Sequence, residues 1–278
     1  MPLSYIYISV IKIKRVLAKK IKYPIKIVSV GNIVIGGSGK TPFTISLTRD
    51  LENPTIILRG FGRESKGLFV ISRSGKILEN VKTSGDEAML LASSLPNANV
   101  IVSENRDIAI KKAIELDSKV VILDDGFSKY HIDKFEIILM PNIENRRYFT
   151  LPSGYLREPE SSLKYANLIL HENIEYKREV TLINPTEKMI LITAISNPKR
   201  LDKYLPKNIV KKVYFLDHSY FDRDEILELV KKYKATSILT TEKDLVKLKD
   251  LDIKISLLKL NIVISNEAKE EIESYLAK

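Results

Sequence analysis

Cysteine is absent from the 278 residues. That removes disulfide frameworks, cysteine zinc sites and thiol nucleophiles, and it fits a reducing compartment. Histidine is scarce: His131, His171 and His218 are the whole supply, so any imidazole chemistry belongs to one of three positions. Residues 1–26 contain no acid. The uncharged opening run stops at Lys12, short of the roughly 20 apolar residues that a membrane-spanning helix needs. Positive charges follow that run instead of preceding it, the reverse of a secretory signal. Aromatic rings are not interleaved with the basic residues in the way that stacks bases, so no nucleic acid is expected as a partner. There is no internal repeat and no low-complexity tract.

What is present reads as an ordinary folded chain of one or two domains, 44% apolar, with a net charge of +10. Such a charge favours an anionic partner such as a nucleotide or a phospholipid surface. Part of it lies in Lys12, Lys14, Arg15, Lys19, Lys20, Lys22 and Lys26. Read as a helix, residues 1–24 align Ile6, Val10, Ile13, Leu17 and Ile21 in one apolar stripe. Lys12, Arg15, Lys19 and Lys22 then fall opposite. This segment is either an interfacial helix on an anionic membrane surface or a basic helix packed on its own domain, and the pattern alone does not choose.

Further on, apolar runs suited to buried parallel strands alternate with helical patterns, which predicts an α/β fold. Strands are expected at 25–30, 55–58, 100–102, 120–123 and 136–140, and helices at 42–51, 86–94 and 106–116, with a hairpin at 66–76. Residues 25–166 make the first unit, ending in a Pro-, Gly- and Arg-rich functional loop at 142–165. Residues 167–188 read as a two-strand linker around a turn at 172–177. A smaller α/β lobe covers 189–278, with strands at 189–193, 213–216, 237–239 and 253–263 and helices at 198–204, 224–233 and 267–276.

The strongest local signal is the apolar run Val28-Ser29-Val30 passing through Gly31-Asn32-Ile33-Val34-Ile35 into Gly36-Gly37-Ser38-Gly39-Lys40-Thr41-Pro42. A strand entering a glycine-rich turn that opens a helix lets backbone N–H groups close around phosphate oxygens. Lys40 would reach the β/γ-phosphates and the Thr41 hydroxyl would ligate Mg²⁺. Where the general pattern has its first glycine, this chain has Val34. A second signal is Asp124-Asp125-Gly126-Phe127 at the end of an apolar run. Carboxylates at the carboxyl end of a parallel strand sit where such sheets bind ligands and can hold the nucleotide's metal. Either aspartate could be the ligand. Asp86 heads a helical run and by itself reads as an N-terminal cap, and the pair Asp217-His218 reads as a possible acid–base pair or as a solvated turn.

Together with Arg59-Gly60-Phe61-Gly62-Arg63, Gly85-Asp86-Glu87, Leu151-Pro152-Ser153-Gly154-Tyr155-Leu156-Arg157-Glu158-Pro159 and Thr240-Thr241-Glu242-Lys243-Asp244, these motifs resemble the lipid A 4'-kinase family over nearly the whole chain. The resemblance implies a P-loop NTPase-like, mostly parallel sheet with helices on both faces plus a smaller C-terminal α/β lobe. It implies ATP and Mg²⁺, an acylated glucosamine disaccharide 1-phosphate as acceptor, and a peripheral position on the cytoplasmic face of the bacterial inner membrane. By motif, Asp86 becomes the base and His218 its partner from the other lobe, a pairing that requires lobe closure. Residues 34–41 cradle the nucleotide with Arg59, Arg63 and Arg157, while Thr41, Asp124, Asp125 and Glu158 face the metal. Ser128 and Lys129 stand where the family usually has Gln-His, and Ala88 where it has proline. Two other classes fit parts of the pattern, a membrane-cycling regulatory ATPase and a soluble small-metabolite kinase.

Overall fold

The structure, a computed structural model, describes residues 2–142, 149–248 and 252–278. In chain order its first part holds α1 (Pro2–Leu17), β1 (Lys26–Gly31), α2 (Lys40–Thr48), β2 (Pro54–Leu58), β3 (Phe69–Arg73), β4 (Lys76–Ile77), α3 (Val81–Ser84), α4 (Asp86–Ser94), β5 (Asn99–Val102), α5 (Arg106–Glu115), β6 (Val120–Asp124), β7 (Phe135–Met140) and β8 (Leu168–His171). The eight strands form one sheet in the order β4-β3-β5-β2-β6-β1-β7-β8. All neighbours are parallel except at one edge, where β3 runs antiparallel to both β4 and β5.

Central strands β2 and β6 are buried along their whole length. Helices cover both faces of a parallel sheet, so its strands are continuous apolar runs instead of alternating ones. Burying one such Ile or Leu contributes about 1.5–3 kcal/mol. The register places Val30 of β1 beside Asp124 of β6 on one side and Ile137 of β7 on the other. Whatever follows Val30 and Asp124 therefore emerges at the same edge of the sheet.

A second sheet follows from β9 (Tyr176–Ile183), β10 (Met189–Thr193), β11 (Ile209–Tyr214), β12 (Ser237–Thr241) and β13 (Ile255–Ile264), ordered β11-β10-β12-β13-β9. Only β9 runs antiparallel to its neighbour. Its helices are α6 (Arg223–Lys232), α7 (Glu242–Leu245) and α8 (Asn266–Ala277). Residues 167–188 give one strand to each sheet, β8 to the first and β9 to the second. The two sheets share apolar contacts: Tyr176, Ile262, Ile264, Ala268 and Ile272 lie in the same buried cluster as Val28, Phe43, Ile122 and Ile137. Tyr275 of α8 donates a hydrogen bond to the Ile27 carbonyl and stacks on Phe135.

Several local expectations shift. Residues 198–204 form a 3-10 helix instead of an α-helix; none of them is fully buried, and Leu201 and Tyr204 pack half-buried against Met189, Leu191 and Leu239. The extended segment starts at Tyr176, earlier than the expected strand, because it pairs over eight positions with β13. The four-residue helices α3 and α7 have too little length for a periodic signal. Of the expected loop at 142–165, residues 143–148 lie outside the described residues.

The N-terminal helix behaves differently from its sequence pattern. It ends at Leu17, and Ile21 instead bridges Ile132. Every member of the apolar stripe is exposed, from Val10 at 44% to Leu17 at 74%, while Ile11 on the other side is buried. Arg15, expected among solvated basic groups, points inward: its guanidinium lies 2.7 Å from Glu158 Oε2 and over the rings of Phe127, Tyr130 and Tyr165. Guanidinium groups tolerate this because they are weakly hydrated and stack on aromatic faces. Tyr7 donates to the Arg157 carbonyl and Ser4 to the Thr150 carbonyl.

Candidate active site

The turn after β1 shows why Val34 can replace a glycine. Ile33 and Val34 are buried with Phe127, Ile138 and Leu156, and Val34 forms an isolated bridge with Leu156. A side chain is useful there. The tight part begins at Gly36 (φ +88) and ends at Gly39 (φ +85), which caps α2. Both lie in the left-handed region that disfavours a Cβ. Two arginines reach the turn from beyond β8: Arg178 of β9 donates to the Ser38 carbonyl at 2.8 Å and Arg200 to the Gly37 carbonyl.

Lys40 and Thr41 open α2. Lys40 Nζ stands 3.4 Å from Asn32 Oδ1 and 3.5 Å from Asp125 Oδ1. Thr41 Oγ1 donates to Asp124 Oδ2 at 3.0 Å. The two aspartates at the end of β6 are thereby distinguished. Asp125, at φ +60, gives both oxygens to Arg157, at 3.0 and 2.7 Å. Burial opposes its charge, but that bidentate bond and Lys40 hold its carboxyl well below the usual range. Asp124 is 3% exposed. Burial, with the charges of Glu87 and Asp125, pushes its pKa up to about 7 against the pull of Lys40 and Thr41. Its Oδ1 is buried and accepts no hydrogen bond among the described residues.

An orphaned buried carboxylate oxygen beside a hydroxyl and a phosphate-binding turn fits a hard divalent cation. Magnesium is commonly held by one or two carboxylates together with substrate phosphates.

The other expected phosphate and metal residues divide. Arg157 is central, its fork also reaching Asn32 Oδ1. Arg59 is exposed at the end of β2, and its charge bears on Arg106 and Lys129. Arg63 is not brought to the turn: it donates to Ser65, the Gly67 carbonyl and Glu104. Glu158 is likewise turned away, with one oxygen on Arg15 and the other accepting from Tyr130.

Asp86 is the first residue of α4, and the cap position belongs to Gly85. That glycine sits at φ +80, and a Cβ there would stand 2.7 Å from the Phe61 carbonyl. Freed from capping, Asp86 meets His218 of the second sheet: Nδ1 lies 2.9 and 3.0 Å from its two oxygens. Burial raises its pKa, but the His218 hydrogen bond, Lys243 and Lys247 outweigh this and leave it lowered. His218 and Asp86 line a shallow hollow with Phe61, Gly62, Tyr220 and Lys247. The adjacent Glu87 carries its charge to Asp124, so this hollow and the phosphate turn share one edge of the sheet.

Sequence reasoning assigned no role to Arg106, Asn32, Arg178, Arg200, Lys243 or Lys247. Arg106 carried a usable signal. A cation in the first turn of α5 opposes the helix dipole. Here it is 4% exposed, and burial brings its pKa down to about 10 despite the nearby charges of Asp125 and Asp124.

A glycine turn with Lys and Thr at a helix start, a buried Asp beside that Thr and an Asp–His pair alongside define a P-loop phosphotransferase. The comparisons give the particular family. The family model described as tetraacyldisaccharide-1-P 4'-kinase (LpxK) matches residues 1–277, and the chain belongs to that family. It is 50% identical to the tetraacyldisaccharide 4'-kinase of Aliarcobacter butzleri, covering 99% of this chain and 90% of that one. It is 46% identical to that of Helicobacter pylori strain J99, covering 99% and 88%. The crystal structure of LpxK from Aquifex aeolicus in complex with ATP superposes with a TM-score of 0.82 at 28% identity, covering 99% of this chain and 98% of that one.

Proposed function

We propose that this chain transfers the γ-phosphoryl group of ATP, with Mg²⁺, to the 4'-hydroxyl of a tetraacyl glucosamine disaccharide 1-phosphate in lipid A biosynthesis. The observation that carries this is the juxtaposition of the Lys40–Thr41–Asp124 cluster with the Asp86–His218 pair, within a family match over the whole chain. Backbone N–H groups of residues 36–41 and Lys40 hold the β- and γ-phosphates, and Arg157 keeps Asp125 and Asn32 beside them. Thr41 and Asp124 would hold the cation, which would supply charge neutralisation to the transferring phosphates. Asp86, ionised and carrying a hydrogen bond from His218, accepts the proton of the attacking hydroxyl. Positioned proton transfer of this kind contributes roughly 10²–10⁴ in rate.

The acceptor is a lipid, and α1 suits its setting. Leu3, Ile6, Val10, Ile13 and Leu17 form an exposed apolar face, with Lys12, Lys14, Lys19, Lys20 and Lys22 around it. Each basic group near an anionic surface contributes about 1 kcal/mol. No helix among the described residues is long and apolar enough to cross a membrane. The lipid acceptor and this apolar, lysine-flanked face support a peripheral position, on the cytoplasmic face of the bacterial inner membrane.

The test is incubation of purified protein with labelled ATP, Mg²⁺ and the detergent-solubilised disaccharide 1-phosphate. Label in the lipid is expected from the wild type and lost in Asp86→Ala, which still binds ATP. Hydrolysis of ATP with no labelled lipid would overturn the assignment.

A further inference from the structure

The motif Thr240-Thr241-Glu242-Lys243-Asp244 runs from the end of β12 into α7. Thr241 caps α7 by accepting from the Asp244 N–H. Asp244, fully buried, accepts from Thr193 Oγ1, the Ala194 N–H and Thr241 Oγ1, tying α7 to the ends of β10 and β12. Glu242 accepts from the Leu260 N–H of β13. Lys243 reaches the Asp86–His218 pair. Its Nζ lies 3.3 Å from His218 Nε2, 3.5 Å from Asp217 Oδ1, 3.7 Å from Glu87 Oε1 and 3.8 Å from Asp86 Oδ2.

An ammonium group has donors and no acceptor. Burial opposes the charge of Lys243, but Glu87, Asp86 and Asp217 more than offset this and raise its pKa. It therefore faces Nε2 as a cation, and a proton on Nε2 would set N–H against N–H. Asp217 lies farther from Nε2, at 3.6 Å. The nitrogen next to Lys243 is thus the acceptor, and the single proton of a neutral imidazole sits on Nδ1, aimed at Asp86. His218 is held in place by its own N–H on the Ala194 carbonyl and by the Phe61 ring, 4.8 Å away.

We propose that Lys243 is a positioning residue that fixes His218 in the neutral, Nδ1-protonated tautomer and so keeps it a hydrogen-bond donor to an ionised Asp86. The opposite tautomer would aim a lone pair at the carboxylate. The doubly protonated ring would bind Asp86 as an ion pair and weaken it as a proton acceptor. The groups facing the ring or its partners are Asp86 and Glu87 from α4, Asp217 and Tyr220 from the turn after β11, Lys243 from α7 and Lys247 beyond it. Glu64 acts on Tyr220 from farther out. Without Lys243 the ring lies between two carboxylates, Asp86 and Asp217, with no donor on Nε2, and its affinity for a second proton rises.

The inference rests on Asp86 as the base, and the two can fail separately. With only three histidines, ¹⁵N NMR of histidine-labelled protein resolves His218, assigned by its loss in His218→Gln. At neutral pH the wild type is expected to show Nδ1 protonated and Nε2 unprotonated. In Lys243→Met the ring is expected to take up its second proton at least about one pH unit higher, the effect of a full charge at this distance even in a water-like dielectric. The acid limb of kcat/KM should move up equally, with KM for ATP unchanged. Lys243→Arg, also donor only, should restore both, and Lys243→Gln is a second variant should Lys243→Met unfold. An Nε2-protonated ring in the wild type, or a variant in which neither titration nor acid limb moves, overturns the proposal. Full turnover by Asp86→Ala with the expected tautomer intact overturns the role of the base alone.

Discussion

Replacing Arg15 by Met tests which face of α1 packs on the protein. Its guanidinium and the Glu158 carboxylate are 11% and 6% exposed and 2.7 Å apart. Removing one partner of such a pair leaves a buried charge and costs about 3–5 kcal/mol. Glu158 keeps its bond from Tyr130, which argues for the lower end. Cation–π contacts with three rings add about 0.5–2 kcal/mol each when desolvated, but Met recovers part of this through contacts of its sulfur with the same rings. A net loss of about 3 kcal/mol follows. At about 2–4 °C per kcal/mol for a chain approaching this size, Tm falls by about 6–12 °C. Adding Glu158→Gln to Arg15→Met removes the stranded charge and should recover part of the loss, a coupling that a double-mutant cycle reads directly. The assay is calorimetric or fluorescence-monitored unfolding of the four proteins. If α1 packed instead by its apolar stripe, Arg15 would be solvated and Arg15→Met would stay within about 0.5 kcal/mol of the wild type. That result would refute the reasoning.

Glutamate at Ile6 and Ile13, exposed at 60% and 57%, should leave Tm within about 2 °C while abolishing sedimentation with anionic vesicles; retained binding would remove α1 as the membrane contact. Asp86 has its pKa lowered from 3.8 in the folded protein, so between the folded and unfolded values the unfolded chain binds more protons and stability rises with pH. Asp86→Asn should therefore lose less stability than the wild type as pH falls below about 4, and an identical acid-unfolding profile would contradict the lowered value. Asp124→Asn should keep the fold and lose roughly 10²-fold or more in turnover through weaker cation binding, seen as a smaller rise in Tm when Mg²⁺ and ATP are added together. Gly85→Ala should cost about 1–3 kcal/mol and reduce kcat more than KM for ATP, because the Cβ meets the Phe61 carbonyl and displaces Asp86.

The large sheet was legible because its strands are apolar runs punctuated by glycine turns, and β1, β2, β6 and β7 lie within a residue of their expected bounds at most ends. The phosphate turn was legible for the same reason: strand, glycines, lysine and helix are contiguous. What could not be read were relationships across the chain. The pairing of Arg15 with Glu158 spans 143 positions, and helical periodicity shows only that α1 has an apolar side, not that this side faces out. Arg63 and Arg157 look alike in sequence, each beside a glycine-containing loop. Only packing shows that the first is consumed by Glu104 and the Gly67 carbonyl and the second by Asp125. Glu158, adjacent to Arg157, turns the other way.

The division of the site between two sheets has an electrostatic logic. The first sheet gathers Asp86, Glu87, Asp124 and Asp125 at one edge, against Lys40 and Arg157 as close cations. Like charges so placed repel, and at Asp124 this adds to burial, the larger cause, in raising the pKa. The second sheet supplies Lys243 within 4 Å of Asp86 and Glu87, and Lys247 within 4 Å of Asp86. Bringing the sheets together thus relieves the acidic edge at Asp86 and Glu87, but neither lysine pairs with Asp124. Asp125 is matched within the first sheet by Arg157 and Lys40, which leaves Asp124, whose Oδ1 accepts no hydrogen bond among the described residues. On the proposed function that oxygen would face the metal. On the proposed function, proton acceptance at Asp86 would answer to Lys243 and Lys247 and cation binding at Asp124 to Lys40, although the two carboxylates occupy a single edge of the same sheet.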